Sequence, residues 1–184
     1  MIFLRNKVNK RVAYAILFII FLCALALRLY CINKYDLWYD ELISDRYSFD
    51  NITKLAAHHM GSAFSYFFNI AQNDQYPSFY YLLVYIYSFF FGGDKSLRFL
   101  SVIFSMLSLG IFYKFARIFY NRWNSIYAVL IMGLSPFHIW YAQEARGYTI
   151  SCFFAILLLY FYMMALQKDN KFNWVYFIIT AILA

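Results

Sequence analysis

The sequence predicts an all-α, polytopic membrane helix bundle with one long outer loop containing amphipathic interfacial helices. Three observations lead there. Of 184 residues, 64% are hydrophobic and only 14% charged, too few charges to cover the wet surface of a soluble domain this size. Several apolar runs approach the roughly 20 residues that cross a bilayer. The charges sit in short clusters between those runs, so the net charge of +7 speaks for cytoplasmic loops and against a nucleic-acid partner. Cys23, Cys31 and Cys152 lack any paired spacing, which indicates neither a disulfide framework nor a thiolate metal site.

The elements follow in order. Residues 1–11 carry Arg5, Lys7, Lys10 and Arg11 and read as a basic, cytoplasmic N-terminus. Residues 12–32 are the first transmembrane helix. They have no charge from Val12 to Leu27, and the apolar stretch resumes past Arg28 to Ile32, which is long for a cleaved signal peptide. Residues 33–76, the long polar stretch, are the outer catalytic loop. In it Ile52, Leu55, Ala56, Met60, Ala63, Phe64, Phe67, Phe68 and Ala71 recur at helical spacing, as in helices lying along the headgroup boundary.

Residues 77–184 hold five further apolar blocks: Pro77–Phe91, Leu97–Tyr113, Trp123–Tyr141, Tyr148–Leu166 and Phe172–Ala184. The last is 13 residues, too short to span, and reads as a truncated helix in the N-terminal part of something longer. With the basic clusters Lys114, Arg117, Arg122 and Lys168, Lys171 in the cytoplasm, Gln143–Gly147 faces outside. Pro77–Phe91 then starts and finishes on the outer side as a short or re-entrant element; the alternative, a span, would put five basic residues outside against three, Lys95, Arg98 and Arg146, inside.

This topology gathers Arg28, Asp36, Asp40, Glu41, Asp74, Arg98, His138, Glu144 and Arg146 at headgroup depth on the outer side. Transporters place ionisable groups at the midplane; an enzyme acting on a lipid headgroup needs them at the interface. Asp40-Glu41 follows the aromatic anchor Leu37-Trp38-Tyr39, with Asp40 expected to cap a helix beginning at Glu41. An ionised carboxylate beside an acceptor hydroxyl can serve as a general base; an ordinary N-cap with a first-turn acid is the plainer reading. The Ser135–Tyr148 stretch offers Arg146 as a fork-shaped phosphate ligand, against the plainer reading of a turn with a surface Glu–Arg pair.

Four segments occur in one order: Leu37-Trp38-Tyr39-Asp40-Glu41, Asp74-Gln75-Tyr76-Pro77-Ser78, Leu97-Arg98-Phe99-Leu100-Ser101, and Gln143-Glu144-Ala145-Arg146-Gly147-Tyr148. Over about residues 12–166 the chain resembles the bacterial GT-C glycosyltransferases related to protein O-mannosyltransferases, which use polyprenyl-phosphate sugars. The resemblance implies a GT-C-like fold and an inverting membrane glycosyltransferase, a hexosyltransferase moving sugar to a hydroxyl of a lipid, polysaccharide or protein at the outer face of the cytoplasmic membrane. It implies catalytic roles for Asp40 and Glu41, with Asp40 acting as base or positioning the acceptor. Arg146, Arg98, Asp74, Glu144 and Tyr148 are implied to bind donor phosphate and substrate. Tyr76 and Ser78 depart from the family's Asp-x-His-Pro-Pro pattern. Asp40, Glu41, Asp74 and Glu144 are oxygen ligands of the kind a divalent metal ion prefers, and paired acids and arginines without a metal are the equal alternative. Family members continue through more helices, so residues 1–184 alone are expected to be inactive. The rival class is a non-catalytic protein that binds or translocates a lipid carrier.

Overall fold

A chain segment in lipid has no water to take its backbone N–H and C=O groups, so it closes them on itself as helix. The computed structural model of the chain describes residues 10–58, 78–167 and 170–183, and every regular element among them is helical. In order these are α1 (Lys10–Leu29), α2 (Tyr39–Asp45), α3 (Phe49–His58), α4 (Ser78–Phe91), α5 (Leu97–Phe119), α6 (Arg122–Leu134), α7 (Pro136–Ala142), α8 (Tyr148–Gln167) and α9 (Lys171–Leu183). A 3-10 turn, Asp94–Ser96, leads into α5. Three helices, α1, α8 and α5 with its leading turn, are long and apolar enough to cross a membrane, and α6 with α7 makes a fourth if the bent pair is one span. The protein is a multi-pass membrane helix bundle.

The axis is α5, on which α8, α6, α7, α1 and α4 all pack. Lipid supplies no hydrophobic drive between helices, so close approach through small residues has to do that work. Ala13 and Ala24 of α1 are buried against Leu109, Ile126 and Val129. Phe18, Ile19 and Leu22 point outward from the bundle, where lipid would meet them. A second core at the other end joins Tyr47, Ile52, Tyr80, Tyr81 and Val84 to Leu97, Leu100, Ile150 and Phe154. The Tyr47 and Tyr81 rings stack there at 3.7 Å. This core fixes α2, α3 and α4 to the starts of α5 and α8.

The turn after α4 is built tightly. Gly92 takes φ +78°, and a Cβ on Gly93 would lie 2.7 Å from Asp45 Oδ1, so both positions need glycine. Asp45 accepts the Asp94 backbone N–H at 2.7 Å, tying the first loop to the entry of α5.

Two local expectations are corrected. Trp123–Tyr141, read as one block, is two helices bent by 58°. Pro136 disfavours helical backbone at Ser135, which extends to ψ 121°, and then opens α7 as its first residue. Second, α2 starts at Tyr39, so Asp40 lies in its first turn and is not its cap. Glu41 reaches back instead and accepts the Trp38 N–H at 3.3 Å. Of the apolar face from Ile52 to Ala71, α3 holds Ile52 and Leu55 and the part past residue 58 lies outside the described residues.

Candidate active site at one end of the bundle

The short helix α2 stands over the start of α5 because a buried charge must be neutralised. Glu41 is fully buried and Arg98 is 6% exposed. Arg98 donates through Nε to Glu41 Oε1 at 2.8 Å and through Nη2 to Oε2 at 2.5 Å, the bidentate geometry that suits a guanidinium. Its other N–H groups go to the carbonyls of Ile32 (2.7 Å), Tyr35 (3.0 Å) and Asp36 (3.2 Å). All five donors are thereby engaged, two by Glu41 and three by the chain leaving α1. Glu41 also accepts the Ala145 N–H at 2.8 Å, so one carboxylate holds α2, α5 and the α7–α8 turn together. The Asp36–Lys95 bridge above it, 2.7 Å long with the acid almost fully exposed, contributes little.

Around this brace the other polar residues collect. Arg146 is 7% exposed and donates to the Asp40 carbonyl at 3.0 Å, which sets the α7–α8 turn against the first turn of α2. Glu144 accepts the Trp140 indole N–H at 2.6 Å. Its carboxyl is held above the usual range, by burial first, then by the charges of Glu41 and Asp40, against lowering by the Trp140 hydrogen bond and Arg146. Three carboxylates and two arginines therefore share one corner, with Asp40 partly open to solvent. Tyr148 opens α8 with its ring 4.6 Å from that of Tyr141. Asp74 lies outside the described residues.

Three clefts run from this corner. A cleft of about 480 Å³ is lined by Trp38, Glu41, Arg98, Trp140, Gln143 and Glu144 among others. The next, about 390 Å³, shares Trp38, Trp140 and Glu144 with it and adds Tyr141 and Tyr148. The third, about 660 Å³ and mostly apolar, shares those tyrosines and reaches Phe112 and Cys152 inside the bundle. Neighbouring clefts, the first holding Glu41, Arg98 and Glu144 in its wall and the last lined mostly by apolar side chains, suit an amphiphile.

Over residues 74–184, more than half of the chain, the sequence matches the family described as dolichyl-phosphate-mannose-protein mannosyltransferase. The chain belongs to this family. It is thus a mannosyltransferase-like membrane glycosyltransferase, and the match spans Asp74, Arg98, Glu144, Arg146 and Tyr148 while beginning after Asp40 and Glu41. No curated protein and no solved structure matches the chain.

For this mannosyltransferase-like chain the fit of a divalent metal can be tested on the donor set. Both oxygens of Glu41 are taken by Arg98 and backbone N–H groups. Among the described residues no three His, Cys, Asp or Glu side chains converge as ligands. The described donors do not form a metal cage.

Sequence reading missed one polar network. Arg28 is fully buried, donating to Ser105 Oγ (2.6 Å), the Ala24 and Gly133 carbonyls (2.7 and 3.1 Å) and His138 Nδ1 (2.7 Å). Guanidinium only donates, so Nδ1 must carry the lone pair and the imidazole is neutral with its proton on Nε2. The signal was present in α5: Arg98, Ser101, Ser105 and Ser108 recur at helical spacing, and all four are buried.

Proposed function

We propose that the intact protein transfers a sugar, mannose by family, from a polyprenyl-phosphate donor to a hydroxyl acceptor at the outer face of the cytoplasmic membrane. The observation that carries this reading is the gathering of Asp40, Glu144 and Arg146 at one corner, where Glu144 lines two clefts that adjoin a third, apolar one at Tyr141 and Tyr148. Family membership supports the donor class. The sidedness is supported by charge. Lys10, Arg11, Lys114, Arg117 and Arg122 sit at the end of α1, α5 and α6 opposite the acids, and Arg122 stacks over the Tyr14 ring at 5.5 Å.

In this reading Asp40 takes the proton of the acceptor hydroxyl. The freed oxygen forms a bond to the anomeric carbon as the bond from that carbon to the phosphate oxygen breaks, and the lipid phosphate leaves with the electron pair. One displacement inverts the anomeric centre. Arg146 stabilises the phosphate, and we assign Arg98 and Glu41 to holding the α7–α8 turn in place, because all of Arg98's donors are already engaged. The donor's hydrocarbon follows the groove past Tyr141 and Tyr148.

Asp40→Asn tests the reading. The variant is expected to insert and to bind donor, and to lose transfer by about 10²–10⁴-fold, the range for a lost general base. Full transfer by a stable Asp40→Asn protein would remove Asp40 from that role. Donor binding without transfer by the wild type would favour a lipid-carrier protein.

A further inference from the structure

Within the transfer reading, the geometry points to a sugar subsite: we propose that Trp38 and Trp140 stack on the pyranose while Glu144 accepts its hydroxyls. Both indoles line both of the upper clefts, and Glu144 lines them too. Trp38 is 48% and Trp140 67% exposed, so neither side chain is packed away from the clefts it lines. A pyranose has one face of C–H groups and a rim of hydroxyls. An aromatic face attracts the polarised C–H groups through its negative π cloud, and a carboxylate is the strongest side-chain acceptor for hydroxyl donors.

The indole N–H of Trp140 fixes the orientation. By donating to Glu144 Oε1 at 2.6 Å it locks the carboxylate relative to the ring, and Oε2 takes no hydrogen bond from any described residue. The turn itself is pinned, since the two hydrogens of Gln143 Nε2 are shared among the carbonyls of Leu27, Arg28 and Tyr30 at 3.1, 3.2 and 3.0 Å. Ring and acceptor therefore form one rigid unit beside the Arg146 turn that is assigned the phosphate. A plain interfacial tryptophan belt would also be exposed, and would anchor the protein to lipid without regard to any sugar. The test separates the two.

The full-length protein in nanodiscs is titrated with polyprenyl-phosphate mannose, glucose and galactose, and separately with bare polyprenyl phosphate. The wild type is expected to bind at least one glycosylated lipid about tenfold or more tighter than the bare lipid. Trp140→Ala should abolish that preference while changing affinity for the bare lipid by less than about twofold. Trp140→Phe, which keeps a ring face but loses the indole N–H, should retain part of it. Equal weakening of glycosylated and bare lipid in Trp140→Ala, or no preference in the wild type for any of the three sugars, would overturn the subsite. Failure of the transfer reading would show differently, as bound donor that the wild type never turns over.

Discussion

Removing one partner of the Glu41–Arg98 pair leaves a charge with almost no water around it, since the side chains are 0% and 7% exposed. Breaking such a pair costs about 3–5 kcal/mol, much of it the stranded charge. Glu41→Gln is therefore expected to lower the melting temperature in detergent sharply, and Glu41→Gln/Arg98→Met to recover part of the loss. A single Glu41→Gln that melts within about 2 °C of wild type would contradict the bracing role. Glu144 behaves in the opposite sense. Its folded-state value lies above the ordinary 4.5, so the folded state favours the protonated form. Stability is then lost as pH rises from the ordinary value through the raised one, and stays lost above it. Glu144→Gln keeps an oxygen for Trp140 and carries no charge. It should melt higher than wild type at pH 7.5, with the difference gone at pH 4, where both states of the wild type are protonated. No gain at pH 7.5 would refute the strain on that carboxylate.

At the scale of elements, the apolar runs were legible because lipid leaves an apolar segment little choice but helix. The break at Ser135 was harder. A proline toward the end of a long apolar block is compatible with a kink or with a new helix, and only the 58° bend decides. The start of α2 was misread by two residues because capping was attributed to Asp40, where Glu41 supplies it from the third helical position. Asp40, Glu41, Arg98, Glu144 and Arg146 could be singled out by residue type and order. That Glu41 and Arg98 use each other's hydrogen-bonding capacity could not, since the pair is 57 residues apart in sequence. The Arg28–His138 contact spans 110 residues and was hidden for the same reason.

The disposition of α4 yields a prediction at this scale. The Tyr80 hydroxyl, near its start, donates to the Ala145 carbonyl at 3.0 Å and can accept from Ser44 Oγ at 3.0 Å. Ser88, near its end, accepts the Phe49 N–H at 2.7 Å, and Gly92 leads directly to the top of α5. Both ends are tied to segments that gather around the acids, so α4 is expected not to cross the bilayer. In a background lacking Cys23, Cys31 and Cys152, Asp94→Cys and Glu144→Cys should both react with an impermeant thiol reagent applied outside. Reaction at position 144 but not at 94 would mean that α4 crosses.

On the scale of the whole molecule, the bundle separates its charges. Acids and the buried arginines occupy one end, and the exposed basic clusters of α1, α5 and α6 the other. In the proposed orientation, the neighbouring clefts from Trp38 to Cys152 would run between an outer headgroup site and the bilayer interior. The most direct test is mass spectrometry of polyprenyl-linked sugars and surface glycans in cells with the full-length gene deleted, restored, or restored as Asp40→Asn. Deletion should raise one polyprenyl-phosphate sugar and remove the matching hexose from one acceptor, the wild-type gene should reverse both changes, and Asp40→Asn should reverse neither. Unchanged polyprenyl-linked sugars and unchanged glycans on deletion would contradict sugar transfer as the function of this protein.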